Sequence, residues 1–439
     1  MYFVYSLLLT LGFLVLLPRF LIDALRHGKY VAGFRERLGI LSPLGDKGKR
    51  LIWLHCVSVG EAQAARPLMR GVRMRFPDYT IVVSTTTLTG QNLAREVFKN
   101  DAAKVFYFPF DWQWTVRRAL TTIKPAAVLI METELWPGFL RVCESLRIPV
   151  AIVNGRLSKQ SFRRYKWIET FVARVMRGLS LAVMQTEVDA QRIRSLGLPP
   201  EKVFVAGNLK FDAGTMAESD SVIEEFRNRF DITSERRLIL AASTHFPEEK
   251  IIIKAFQRVS RNLAIKPRLL LAPRNPERFA EVASLLATSA LTWTSRTSPA
   301  APSDHNCDVI LLDSIGELHS LYSLASVVFV GGSIARTGGH NILEPAAVGA
   351  AIVTGVHTHN FEDIVKTFVN DAAVIQLPAL RNGEAEVELA TVFSQLITDT
   401  QRREILGQAA KALVSKNLGA TDRTIELLVP ILNSGLSTE

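Results

Sequence analysis

Glu61 follows the apolar run Leu51–Val59 with only Gly60 between, and Glu132 and Glu134 close the run Ala126–Met131 with one threonine separating them. Carboxylates at such strand ends suit proton abstraction, because a cleft of low polarity raises their pKa towards neutrality. Glu61 equally suits the first turn of a helix, where a carboxylate meets the positive end of the macrodipole. Glu132 and Glu134 on a continuing strand would share a face and crowd like charges, so a basic neighbour such as Arg156 is wanted. Lys210, in "GNLKFD", could neutralise a carboxylate or a phosphate, or simply be solvated. Arg274, in "APRNPER", ends another apolar run, where a guanidinium can fork onto a phosphate or form a surface ion pair.

The stretch "FVGGSIARTGGHNILEPAAVGAAIVTG" (Phe329–Gly355) has two Gly-Gly pairs, then Asn341 and Glu344. Such glycines permit positive φ and close backbone approach to a ligand. Asn341 would sit near a helix start with amides exposed for an anion. Glu344, three residues on, could accept ribose hydroxyls or close a capping pair with Asn341. No Walker lysine motif and no strict GxGxxG at the first βα turn exist, which disfavours ATP hydrolysis and NAD chemistry. Cys56, Cys143 and Cys307 are far apart with no CxxC, which argues against a zinc site or a disulfide framework.

The elements that must position these residues alternate. "LIWLHCVSV", "YTIVVSTTT", "AAVLIME", "IPVAIVNG" and "LSLAVMQ" read as strands separated by helical stretches. After the polar "GNLKFDAGTMAESDS" a second set follows: "RLILAAST", "PRLLLAPR", "CDVILLDS", "ASVVFVGGS" and "AAIVTG". Strand–helix alternation predicts parallel sheets covered on both faces, with ligands beyond the carboxyl ends of the strands. The expected organisation is a membrane-anchor helix over residues 1–25, a Rossmann-like domain over 26–208, a linker over 209–234 and a second Rossmann-like domain over 235–439 that includes the carboxyl-terminal helices. The two domains are expected to face a cleft.

The chain's 439 residues carry a net charge of +10, which favours an anionic partner. The uncharged run Tyr2–Leu17 is slightly short of a full span and is followed by a basic flank, which predicts an anchor or half-inserted helix with the body of the protein in the cytoplasm, a buried core helix being the alternative. Its removal is expected to leave the catalytic fold intact. The stretch Gly155–Ser180 interleaves seven Lys and Arg with Phe162, Tyr165, Trp167 and Phe171. It suits a membrane interface or a phosphorylated lipid, or a solvated helix with Trp167 in the core.

With "WLHCVSVGE", "METELWP", "GNLKFD", "PRNPER" and "GGSIARTGGHNILEPA" in order, the chain resembles the 3-deoxy-D-manno-octulosonic acid (Kdo) transferases over nearly its whole length. The resemblance implies a GT-B glycosyltransferase of α/β class that moves Kdo from CMP-Kdo to a phosphorylated, acylated glucosamine disaccharide, the lipid A precursor lipid IVA, with inversion and without metal or cofactor. It implies the cytoplasmic face of a bacterial inner membrane; nucleic acid would also use the basic stretch, but the hydrophobic amino terminus makes lipid the expected partner and no nucleic acid is expected. It assigns Glu61 as proton acceptor and Glu132 and Lys210 to transition-state stabilisation. The CMP site would be Pro273 and Arg274, then Ile315, Gly316 and Glu317, then Asn341, Ile342, Leu343 and Glu344. The chain departs from the family pattern at Asn275 and at Phe246-Pro247. Rival readings are another GT-B enzyme using a UDP-sugar, and a basic membrane-attached binder without turnover.

Overall fold

A computed structural model of the protein describes residues 1–27, 33–44, 49–213, 219–233, 235–264, 266–379 and 383–433. The chain forms two compact units, Met1–Ala213 with Leu418–Glu439, and Gly214–Asn417.

In the first unit seven strands form one parallel sheet: β1 (Arg50–His55), β2 (Tyr79–Thr85), β3 (Lys104–Tyr107), β4 (Ala127–Met131), β5 (Val150–Gly155), β6 (Leu181–Met184) and β7 (Val203–Val205). Their order is β3-β2-β1-β4-β5-β6-β7. Helices cover both faces, so the inner strands are apolar without alternation; β4 and β6 are buried at every position. Trp53 fills one side of the sheet, its ring meeting Phe106 and Phe139 edge-on at 5.1 and 5.3 Å and its indole N–H donating to Ser84 Oγ at 2.7 Å. The chain order reverses between β1 and β4, and that is where an open α/β sheet opens a crevice at its carboxyl edge.

The second unit repeats this plan with β8 (Leu238–Thr244), β9 (Arg268–Pro273), β10 (Trp293–Ser295), β11 (Val309–Leu311), β12 (Ala325–Val330), β13 (Ala351–Thr354) and β14 (Ile375–Gln376). Their order is β10-β11-β9-β8-β12-β13-β14, all parallel, with the reversal between β8 and β12.

Three expectations change. The segment 209–234 is not simply a linker. Lys210–Ala213 is a short helix of the first unit, and Asp220–Phe230 is a helix of the second that buries Phe226 and Phe230. The last helix, Ala420–Asn433, belongs to the first unit and not the second. Its Ile425, Leu428 and Leu432 enter the core beside Leu68 and Val72. Asp212 accepts the N–H groups of Gly419 (2.8 Å) and Thr421 (2.6 Å), and Tyr79 donates to the Leu432 carbonyl at 2.6 Å.

The third change concerns the amino terminus. Tyr2–His27 is one helix, yet among the described residues no helix is long and apolar enough to cross a membrane. One face docks on the first unit. Tyr2 is buried edge-on to Phe171, Tyr5 donates to Asp111 Oδ2 at 2.7 Å, Trp112 donates to Thr10 at 3.0 Å, and Phe13 packs on Phe110 and Trp112. The other face, with Phe3, Leu7, Leu8, Leu11 and Val15, is exposed. Tyr2 of the helix thereby joins the core of this unit, so removal of the helix is expected to cost stability.

Candidate active site

The turn after β1 places Glu61. Ser58 caps the helix Val59–Arg75; its hydroxyl accepts from Glu61 N (3.4 Å) and donates to Glu61 Oε1 (2.9 Å), while Val57 N donates to Oε2 (2.7 Å). The reciprocal Ser–Glu contact is a capping box in outline, so the structural reading of Glu61 holds. It does not exhaust the residue. Glu61 is only 6% exposed, and burial, then the nearby Glu132, push its carboxyl up to about 8 against the pull of Val57 and Ser58; Glu134 adds to the rise. A cap that served the helix alone would gain by being ionised at the positive end of the dipole. Glu61 is instead held near the pKa that suits a general base.

Glu132 leaves β4 on the other side of the reversal with φ 55°, left-handed backbone that a side chain with a β-carbon adopts at a cost of about 1–3 kcal/mol. Its N–H donates to Val153 O at 3.0 Å, which fixes the turn. Burial raises the Glu134 carboxyl, with Glu132 adding to it. Asn154, at the end of β5, also has φ 55°. Its Oδ1 accepts from Leu209 N at 3.0 Å, so the strained asparagine holds the segment that carries Lys210. Glu61, Glu132 and Lys210 are thus all placed by the carboxyl edge of one sheet, at or beside the β1/β4 reversal.

Sequence reasoning missed His55, which ends β1. It is buried, stacked on Phe108 at 4.0 Å, and bonded through Nδ1 to Ser84 Oγ at 2.9 Å; burial drives its pKa down to about 3, so it is neutral. It also missed Asp111, which receives Gly138 N (2.8 Å) and Phe139 N (2.6 Å) at the start of the helix Pro137–Ser145 and so fixes the exit of "ETELWP". The basic stretch forms the helices Lys159–Trp167 and Glu169–Met176. Trp167 is 91% exposed, which excludes the reading that puts it in the core. A groove of about 610 Å³ is lined by Lys159, Phe162, Arg163, Arg164, Lys166 and Trp167.

In the second unit the crevice lies between the ends of β8 and β12. Glu248 is fully buried, and both its oxygens accept backbone N–H groups: His245 (3.0 Å) and Gly332 (2.8 Å) on Oε2, with Ser333 (2.9 Å), Ile334 (2.8 Å) and Ala335 (3.1 Å) on Oε1. One carboxylate thereby shapes the first glycine turn. Gly331 has no room for a β-carbon, which would lie 2.5 Å from the Ser243 carbonyl. Ser243 itself has φ 54°. Arg274 follows Pro273 at the end of β9, exposed, its N–H bonded to Thr244 O at 3.0 Å.

Asn341 Nδ2 donates to Glu344 Oε1 at 3.1 Å, and Asn341 Oδ1 accepts from Leu343 N at 3.1 Å, so the pair does cap the turn. The helix it opens, Leu343–Ala347, has only five residues and cannot supply the macrodipole expected for phosphate binding. Ile342 and Leu343 point into the core, leaving their backbone as their polar surface. Glu344 is half-buried, and burial raises its carboxyl while Asn341, His319 and Arg274 oppose the rise. At the third expected segment Ile315 is 80% exposed, Gly316 has φ 95°, and Glu317 is bound to Arg296 at 2.8 Å. Among the described residues no group of three or more His, Cys, Asp or Glu is arranged to hold a metal ion.

The family profile described as "3-Deoxy-D-manno-octulosonic-acid transferase (kdotransferase)" matches residues 32–213. The 3-deoxy-D-manno-octulosonic acid transferase of Haemophilus influenzae is 34% identical over 411 residues, 93% of each chain. Among solved structures, UDP-GlcNAc 2-epimerase of Neisseria meningitidis bound to UDP-GlcNAc aligns with 87% of this chain and 100% of its own at TM-score 0.54 and 14% identity. MurG of Acinetobacter baumannii aligns with 87% of this chain and 99% of its own at TM-score 0.54 and 12% identity. Those two likenesses speak for the two-unit fold alone.

Proposed function

This chain belongs to the 3-deoxy-D-manno-octulosonic acid transferase family of glycosyltransferases, and we propose that it moves Kdo from CMP-Kdo to the glucosamine disaccharide of the lipid A precursor lipid IVA. The observation that carries the proposal is Glu61: a buried carboxylate at the β1/β4 reversal whose pKa of about 8 suits the removal of a proton from an acceptor hydroxyl. In this reading the hydroxyl oxygen attacks the anomeric carbon of Kdo, its proton passes to Glu61, and the bond to the CMP phosphate breaks with the electron pair staying on the phosphate. A single displacement inverts the anomeric carbon. Glu132 and Lys210 stabilise the charges that develop.

The second unit reads the donor. Arg274 meets the phosphate, the glycine turns and the backbone of residues 315–317 and 341–344 approach the nucleotide, and Glu344 accepts from the ribose. Fixed cations and amides aimed at the leaving phosphate take the place of a metal ion, and no cofactor is needed. The basic groove beside Trp167 suits the phosphates of the lipid, and the exposed apolar face of the amino-terminal helix suits the acyl boundary of a bilayer. The enzyme would then lie on the cytoplasmic face of the inner membrane as a docked helix, not a spanning one, with no role in binding nucleic acid.

The test is Glu61→Gln in the purified full chain, given CMP-Kdo and tetraacylated disaccharide bisphosphate in EDTA. Transfer should fall about 10²–10⁴-fold while CMP affinity is retained. Near-normal transfer removes Glu61 as the base. Transfer that stops in EDTA and returns with a divalent cation removes the metal-free reading.

A further inference from the structure

His245 and His340 meet at the carboxyl edge of the second sheet. His245 follows β8 and His340 follows the second glycine pair after β12, so the two imidazoles bridge the β8/β12 crevice. Their Nε2 atoms are 2.8 Å apart, the ring planes differ by 5°, and the centroids are 5.1 Å apart. Parallel rings with nitrogens that close cannot lie face to face, because stacked carbons need about 3.5 Å. The rings therefore meet edge to edge through one N–H···N bond. One imidazole donates, and the other, accepting at Nε2, carries its own proton on Nδ1. Both residues are half-buried, so a ligand can reach them.

We propose that this histidine pair is a proton-accepting part of the donor site: it takes up one proton when the phosphate of a cytidine nucleotide binds beside Arg274. The proposal rests on the donor reading above and adds a residue pair and a proton to it. One added proton leaves the Nε2 bond in place and puts a new N–H on the Nδ1 that was bare. The result is an imidazolium–imidazole pair with a stronger, charge-assisted bond. A second proton would break it, so the pair holds one.

The surrounding groups set the direction. Without ligand, burial, then Arg274 and Arg278, hold His245 down against Glu249. Burial, then His245 and Arg274, lower His340 to about 4. Arg278 is neutralised by Glu249 (2.5 Å) and Glu281 (3.0 Å), and the Glu248 carboxylate is engaged by its five amides. His359 lies behind Gly338, and Glu344 is capped by Asn341. Arg274, exposed like Arg336 of the glycine loop, is the cation that acts on both histidines, and an incoming phosphate would cancel its field. A doubly charged phosphate goes further and favours the imidazolium. The same positive charge then faces the phosphate as its bond to the sugar breaks.

Calorimetric titration of the full chain with CMP, in buffers of different ionisation enthalpy near neutral pH, reads the proton directly. Wild type should take up part of a proton with CMP and none with cytidine, which lacks the phosphate. His340→Asn and His245→Asn should each lose the uptake and bind CMP about ten-fold more weakly. Uptake unchanged in both variants, or absent in wild type that binds CMP, overturns the proposal. Wild type that binds cytidine as tightly as CMP, or does not bind CMP, overturns the donor reading itself. Should one variant fail to fold, the other still reads the pair, and wild type that binds CMP without uptake still overturns the proposal.

Discussion

In the proposed reaction Glu61 combines a structural and a chemical role in one carboxylate. As a helix-start residue it would stabilise most when ionised, but burial and Glu132 oppose ionisation, and its pKa is raised from 4.5 to about 8. The sign of the consequence follows from linkage. Between those two values the folded state holds a proton that the unfolded state has released, so this residue's contribution to stability falls as pH rises through that window. Glu61→Gln should therefore melt a few degrees above wild type at about pH 8 and close to it near pH 4.5. Differential scanning measurements at the two pH values check this; a variant that melts lower at pH 8 would mean that the cap outweighs the buried charge. The local part of this was legible: a carboxylate after Gly60 at a strand end announces both a cap and a base. His55 was not legible as a site residue, and although Asn154 and Glu248 lie at strand ends that read as walls of a crevice, the groups they hold were not legible. Their partners include Ser84, Leu209 and the residues 332–335, far along the chain.

At the scale of elements, ten strands could be read from the sequence and fourteen form among the described residues. The four missed are β3, β7, β10 and β14, the edge strands of the two sheets. An inner parallel strand is buried on both faces and reads as an unbroken apolar run, whereas an edge strand is short and mixed; Phe204 and Val205 of β7 are exposed, and β14 has two residues. The reversals at β1/β4 and β8/β12 lie among inner strands, which is why the elements that carry the site were the legible ones. The last helix misled because a run of helical pattern tells nothing of which sheet it covers. Gly419, with φ 81°, ends one helix and lets the next return to the first unit, where Asp212 receives it.

At the scale of the molecule, the amino-terminal helix joins the candidate membrane surface to the first unit. Asp111 accepts both the Tyr5 hydroxyl and the amides that begin the helix after "ETELWP", so the docked helix bears on the turn that carries Glu132 and Glu134. Removal of residues 1–17 exposes the pocket of Tyr2 and strips Asp111 of one of its three donors. The truncated protein should unfold at lower denaturant than the full chain, by about 2–5 kcal/mol, the range of large core truncations. It should keep binding anionic vesicles at low salt through the basic groove and lose it at high salt, while the full chain is less salt-sensitive. Denaturant melts and vesicle co-sedimentation across a salt series check both; equal stability with and without the helix would mean that its docking contributes nothing.

Transfer of Kdo from CMP-Kdo to a phosphorylated lipid disaccharide is read in the mass of the lipid after incubation with the purified full chain and CMP-Kdo. The lipid should gain whole Kdo units, matched by released CMP. A lipid of unchanged mass, from a preparation that turns over a UDP-sugar instead, would contradict it.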